Sequence, residues 1–215
     1  GRIANPTWGR IVQEEEFIAT YNQKKQSLVD LANFKVDRLN IWQTTASPWL
    51  RPEDWTACRA DFTEDDLQDR ECFAGLDLAK TRDMTALVLV FPWEDGRFRI
   101  LPYFFLPDAG LRRIATKVPA ILDWHARGHI ITTPGDVTDY HFVKQTIADL
   151  AKKFAIQELL FDPYNAEQLT QEIDDELGIT RTAFPQTVAN FNEPTKEFER
   201  LLISHKIEHN GHPVM

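Results

Sequence analysis

Residues 71–107 constrain this chain more than any other stretch. ECFAGLDLA (71–79), MTALVLVFP (84–92) and RFRILPYFFLP (97–107) are three runs rich in β-branched, aromatic and aliphatic residues, the composition of strands. The connection WEDG carries an Asp-Gly turn signal, and the connection around KTR is equally short. Connections of this length leave no room for a crossover helix, so the stretch predicts an antiparallel three-stranded meander. One residue breaks the pattern. Asp77 interrupts the first apolar run, and an isolated buried carboxylate is expensive unless it is paired, hydrogen-bonded or bound to metal.

Downstream, strands alternate with helices. A helix is expected over 109–127, ended by Gly128 and kinked at Pro119. HIITTPG reads as a short strand, and Thr138 as the N-cap of a helix reaching Phe154. IQELLFDP is a strand, AEQLTQEIDDELG a helix, TRTAFPQ a strand and EPTKEFERLLISHK a helix. Strands separated by helices pair in parallel. The expected fold is therefore α/β, an antiparallel meander feeding parallel strands in one mixed sheet flanked by helices. That is the ribonuclease H-like order. Residues 1–70 read as a helical linker segment and 71–215 as the sheet domain. Phe17, Ile18, Tyr21, Leu28, Leu31, Phe34 and Leu39 recur at helical spacing. TTASPWLRPEDW is turn-rich, Trp42, Trp49 and Trp55 are read as linker packing, and FTEDDLQDRE as a solvated acidic connector.

Charge narrows the function. The net charge is −9, whereas a protein that coats nucleic acid by charge alone is basic. An enzyme that gathers acids around metal ions is compatible with it, because bound cations invert the local field. Cys58 and Cys72 form no disulfide framework, which predicts a reducing, cytoplasmic setting, and no apolar run has transmembrane length. No G-x-S-x-G elbow supports covalent hydrolysis.

Asp162 ends IQELLFDP just as Asp77 lies in the first strand. If the two strands are neighbours, the carboxylates share a site, and a divalent cation resolves their repulsion. Two such ions, roughly 3.5–4 Å apart, activate water and stabilise the leaving oxygen in phosphodiester cleavage. The alternatives stay open: Asp77 opening a turn with Lys80 or Arg82 as its ion pair, and Asp162–Pro163 as a turn-initiating pair. Asp83 is read as a turn or metal-supporting residue, and Lys80 and Arg82 as phosphate contacts or solvated charges. His205, His209 and His212 invite a zinc reading, but no cysteine stands near them and an acidic pair suits a harder ion. His125, His129 and His141 read as surface or packing residues.

The sequence also resembles a known family, the nuclease half of the large subunit of tailed-phage DNA-packaging terminases. VDRLNIWQTTASPWLRPEDWTAC is similar to the segment joining ATPase and nuclease, and CFAGLDLAKTRDMTALVLVF to the first strand pair. ILPYFFLP and ITTPGDVTDYHFVKQTIADLAKKFAIQELLFDPYNAEQL are similar to the centre, and PTKEFERLLISHKIEHNGHPV to the approach to the C-terminal region. The resemblance implies metal ligation by Asp77 and Asp162, two Mg²⁺ or Mn²⁺ ions, and His209 near the site as a supporting or DNA-contacting group. It implies an endonuclease cutting concatemeric double-stranded DNA in the host cytoplasm, with the ATPase domain, a small terminase subunit and a portal as partners. A G-x-x-x-x-G-K-[ST] loop is absent from these 215 residues. A third metal carboxylate is expected beyond Met215, which makes the domain C-terminally truncated. The alternatives are a non-catalytic ribonuclease H-like docking or DNA-binding module and a junction-resolvase-like nuclease.

Overall fold

The three strand runs form strands β1 (Glu71–Asp77), β2 (Thr85–Trp93) and β3 (Arg97–Pro107), paired antiparallel in succession. Asp95 and Gly96 both adopt positive φ in the β2–β3 turn, as an Asp-Gly hairpin requires. The computed structural model describes residues 13–25, 28–39, 49–79 and 83–215. Lys80, Arg82 and Trp42 lie outside the described residues. The chain divides into two compact units, residues 1–52 and 53–215.

In the first unit the helical stretch is two helices, α1 (Glu14–Lys24) and α2 (Leu28–Leu39). Phe17 and Tyr21, one turn apart on α1, close on the buried Phe34 of α2 at ring distances of 5.1 and 5.7 Å.

In the second unit a short helix α3 (Pro52–Ala57, of which Pro52 closes the first unit) precedes the sheet. Between them, the acidic connector is anchored: Phe62 and Leu67 are buried in the core, and Lys153 pairs with Glu64 at 2.8 Å. After the meander come α4 (Asp108–Ala115) and α5 (Ala120–Ala126). The single kinked helix expected here is thus two, because Pro119 caps a new helix rather than bending an old one. There follow β4 (Ile131–Thr133), α6 (Tyr140–Ala151), β5 (Ala155–Phe161), α7 (Pro163–Leu177), β6 (Thr180–Ala183), α8 (Val188–Ile203) and β7 (Ile207–His209). Asp139, not Thr138, caps α6, accepting from His141 N at 2.9 Å. Helix α8 begins at Val188, five residues before Glu193 where the sequence reading placed its start, and carries Pro194 inside it. Helix α7 has Asp162 as N-cap, Pro163 in its first turn and Gly178 as a left-handed C-cap, each the residue type that favours its position.

The sheet order is β4-β3-β2-β1-β5-β6, with β7 also pairing with β3. Strands β5 and β6 are parallel to β1 and to each other, and β4 and β7 are parallel to β3. The sheet is mixed, as expected, but β7 was not foreseen. Residues along β1 alternate exposed and buried, the signature of a strand with one face on the core. Cys72, Ala74 and Leu76 join Leu87, Leu89, Phe91, Leu159 and Phe161 in a core closed by Val143 and Ile147 of α6 and Leu169 and Ile173 of α7. Buried Cys72 has its thiol pushed up to about 12 by desolvation, which makes it inert.

Strand β7 is fastened by charge. Glu208, 8% exposed, receives Arg97 and, at 2.8 Å, Arg99 from β3. The Arg99 guanidinium lies 3.8 Å from the Trp93 ring centre, a cation–π contact. Glu208→Ala leaves two arginines without their acid, and should lower the unfolding free energy by roughly 3 kcal/mol in urea titration. The value sits at the bottom of the range for buried pairs because Arg97 keeps a side-chain exposure of 34%.

Two further measurements test local structure. Asp162 Oδ1 accepts the Tyr164 N–H at 3.0 Å. Asp162→Ala should therefore cost about 1 kcal/mol of stability, and Asp162→Asn, which keeps a capping oxygen, almost none. The His212 pKa is lowered from 6.5 to about 4, first by burial and then by neighbouring His129. The unfolded chain then takes up a proton the folded one refuses, so stability should fall as pH drops from 6.5 towards 4 and be insensitive to His212 above that window. A plot of unfolding free energy against pH that is unchanged by His212→Gln would contradict this.

Candidate metal-binding cleft

The β1–β5 register decides where the carboxylates go. The strands pair with Glu71 opposite Ala155 and Cys72 opposite Ile156, then slip so that Phe73 lies opposite Glu158. Gln157 is the extra residue, a bulge. From there the pairs run Ala74–Leu159, Gly75–Leu160 and Leu76–Phe161. One step further sit Asp77 and Asp162, at matching C-terminal ends of adjacent parallel strands about 4.8 Å apart. Residues paired in a parallel ladder point to the same face. Without the one-residue slip Asp162 would align with Leu78, and the two carboxylates would face opposite sides of the sheet.

The face they share is the one turned away from the main core. Asp77 and Asp162 line a single cleft of about 260 Å³ with Gly75, Leu76, Ala86, Val88, Leu160, Phe161, Phe184, Gln186 and Phe191. Its walls are mostly apolar. It opens where β1 leaves its antiparallel neighbour β2 on one side and meets its parallel neighbour β5 on the other, at the carboxyl ends of β1 and β5, the usual place for a ligand site in α/β sheets. Asp77 is exposed there, not buried as its apolar flanks suggested.

Among the described residues each carboxylate has one protein donor. Asp77 Oδ1 accepts from Gln186 Nε2 at 3.2 Å, and Asp162 Oδ1 from Tyr164 N at 3.0 Å. Neither has an ion-pair partner among the described residues. The wall opposite is held by aromatic packing: Phe184 and Phe191 meet edge to face at 5.4 Å, and Phe184 N donates to Phe161 O at 2.7 Å.

The other residues singled out from sequence lie elsewhere or go undescribed. Asp83 is exposed in the turn before β2 and does not line the cleft. His209 is 3% exposed in β7, paired with Ile100 of β3, and is also absent from the cleft. Its ring stacks on Trp55 at 4.1 Å, its Nε2 donates to Trp55 O at 2.8 Å, and its Nδ1 accepts from Gly211 N at 3.1 Å. Both ring nitrogens are therefore engaged, Nε2 tying β7 to α3 and Nδ1 tying it to the chain just after β7. His205 sits at the end of α8 beside Cys58, and His212 against His129 and Phe104. The three histidines thus go to three separate environments. Among the described residues no three His, Cys, Asp or Glu side chains gather as a metal cluster. The residues that sequence reasoning missed are Gln186, Phe184 and Phe191. Only their place in TRTAFPQTVANF, at the end of a strand, marked them at all.

Comparison with known proteins supplies the family. The model of the terminase large subunit endonuclease domain matches residues 2–215. The large terminase subunit of Enterobacteria phage HK97 is 28% identical over 215 residues, covering 99% of this chain and 42% of that protein. Protein YmfN of Escherichia coli K12 is 27% identical over 226 residues, covering 99% of this chain and 49% of its own length. The crystal structure of the HK97 bacteriophage large terminase superposes with a TM-score of 0.69 and 26% identity, over 99% of this chain and 44% of that one. The chain thus spans less than half the length of the curated relatives it matches. The mixed sheet flanked by helices is the ribonuclease H-like fold of that structure. With the family match running over nearly every residue and the fold shared, the chain belongs to the terminase large subunit endonuclease domains.

Proposed function

We propose that this chain is a metal-dependent endonuclease that cuts concatemeric double-stranded DNA during phage genome packaging, using Asp77 and Asp162. The observation that carries the reading is the shared face: two carboxylates with no cationic partner among the described residues, side by side at neighbouring strand ends in one cleft. Their chemistry fits the group the family implies. Two hard oxygen donors, with no thiolate or imidazole lining the cleft among the described residues, suit Mg²⁺ or Mn²⁺, and Mg²⁺ is commonly held by one or two carboxylates with the remaining positions left to water and substrate phosphate. When bound, a pair of such ions supplies an activated water and charge neutralisation at the scissile phosphate.

The chain's own residues do the rest. Asp77 and Asp162 fix the cation position relative to the sheet. Val88, Leu160, Phe184 and Phe191 keep the floor and wall apolar, which strengthens the field of each charge. Lys80 and Arg82 follow Asp77 by three and five residues and are the proposed contacts to the DNA backbone. Elsewhere, acids already hold several of the cations: Arg181 meets Glu167, Lys196 meets Glu193, and Arg200 meets Glu197. The ATPase domain, a small terminase subunit and a portal are the proposed partners, and the host cytoplasm the proposed setting. No helix among the described residues is long and apolar enough to cross a membrane.

Incubation with supercoiled plasmid and Mn²⁺ tests the reading. The parent chain should nick and linearise it, EDTA should stop the reaction, and Asp77→Asn and Asp162→Asn should reduce it to background while melting normally. Undiminished cleavage by either variant would remove that residue from the chemistry. Preference for a four-way junction over plasmid would indicate a resolvase, and Mn²⁺-independent DNA binding with no cleavage would indicate a docking module.

A further inference from the structure

Resting on that metal-site reading, we infer that Gln186 is a positioning residue for Asp77, its side-chain amide fixing the carboxylate so that the second oxygen is left for a hard divalent cation. Gln186 Nε2 donates to Asp77 Oδ1 at 3.2 Å across 109 residues of sequence. A carboxylate on a strand end rotates freely about its last bond, and each bound donor removes part of that freedom. Asp162 is restrained in the matching way, by the Tyr164 N–H on its own Oδ1. Both carboxylates therefore spend one oxygen on a protein donor, and neither Oδ2 has a donor among the described residues. One donor comes from a helix end and the other from a side chain, yet the outcome is the same on both walls of the cleft.

The loop that carries Gln186 is itself fixed. Phe184 N extends the β5–β6 ladder by bonding Phe161 O at 2.7 Å. Asn190 Nδ2 donates to Pro185 O at 2.8 Å, Thr187 N to the same carbonyl at 2.8 Å, and the Thr187 hydroxyl caps α8 through Asn190 N at 3.2 Å. Phe184 and Phe191, which bracket the loop in sequence, meet edge to face. Among the described residues, Gln186 is the only one lining the cleft with an uncharged polar side chain. Gln186 is exposed, and an outer hydrogen bond to a metal ligand typically changes metal affinity about 10–100-fold.

The test is direct Mn²⁺ binding, read from the loss of the free-ion EPR signal, with thermal melting in EDTA alongside. Gln186→Met keeps the length and the apolar stem but removes the donor. It should raise the Mn²⁺ dissociation constant about 10-fold or more. Its melting midpoint in EDTA should stay within about 2 °C of the parent, as for an exposed substitution. The Mn²⁺ concentration needed for half-maximal plasmid cleavage should rise by the same factor. If the parent binds Mn²⁺ and Asp77→Asn does not, but Gln186→Met binds as tightly as the parent or more tightly, the role of Gln186 is overturned while the site stands. If the parent binds no better than Asp77→Asn, the metal site itself falls and Gln186 with it.

Discussion

The register between β1 and β5 is the constraint on which the rest depends. A parallel ladder puts partners on a common face, so a shift of one residue exchanges every side chain between core and cleft. Gln157 supplies that shift. Below the bulge Cys72 enters the core, with its partner Ile156 packed against the same cluster. Above it Leu159 and Phe161 enter the core with Ala74 and Leu76, while Leu160 faces the cleft with Gly75. The hydrophobic pattern and the carboxylate pair thus enforce each other. Burying Phe161 on one side requires Asp162 to emerge on the other, beside Asp77. Strand β6 inherits the same frame, and its extension to Phe184 delivers the Gln186 loop to the cleft.

Much of this was legible in the sequence because the meander is local. Three apolar runs with short connections leave one arrangement, and alternating strands and helices after them leave few others. The family resemblance followed from residues in fixed order, and the fold it implied is the one found. The misjudged details have separate causes. Thr138 and Asp139 both suit an N-cap; Asp139 takes the role, its N–H donating to the Thr133 side-chain hydroxyl at 3.2 Å while its carboxylate accepts from His141 N. Pro119 reads as a kink or a start with equal ease. Strand β7 is three residues long and bears a glutamate and a histidine, so no alternation could announce it. It exists because Arg97 and Arg99 wait for Glu208. Its His209 looked chemical in sequence and is a strut in the structure, since adjacency of three histidines along a chain says nothing of adjacency in space. The bulge was out of reach, because nothing in AIQELLF distinguishes a straight strand from a slipped one.

The acidity of the chain takes on meaning once the cleft is placed. A surface of net charge −9 repels a phosphate backbone at long range, and several described cations are already engaged by acids on their own or neighbouring helices, as Lys144 is by Glu172 and Glu176. Binding to DNA through such a surface cannot rest on non-specific attraction. On the proposed reading it is local, through divalent charge held between Asp77 and Asp162 and through Lys80 and Arg82. Such a nuclease would grip DNA weakly on its own. On the proposed reading, weak intrinsic grip would limit cutting of DNA that the cleft meets by chance, and it follows from the same charge balance that argues against a passive DNA-coating role.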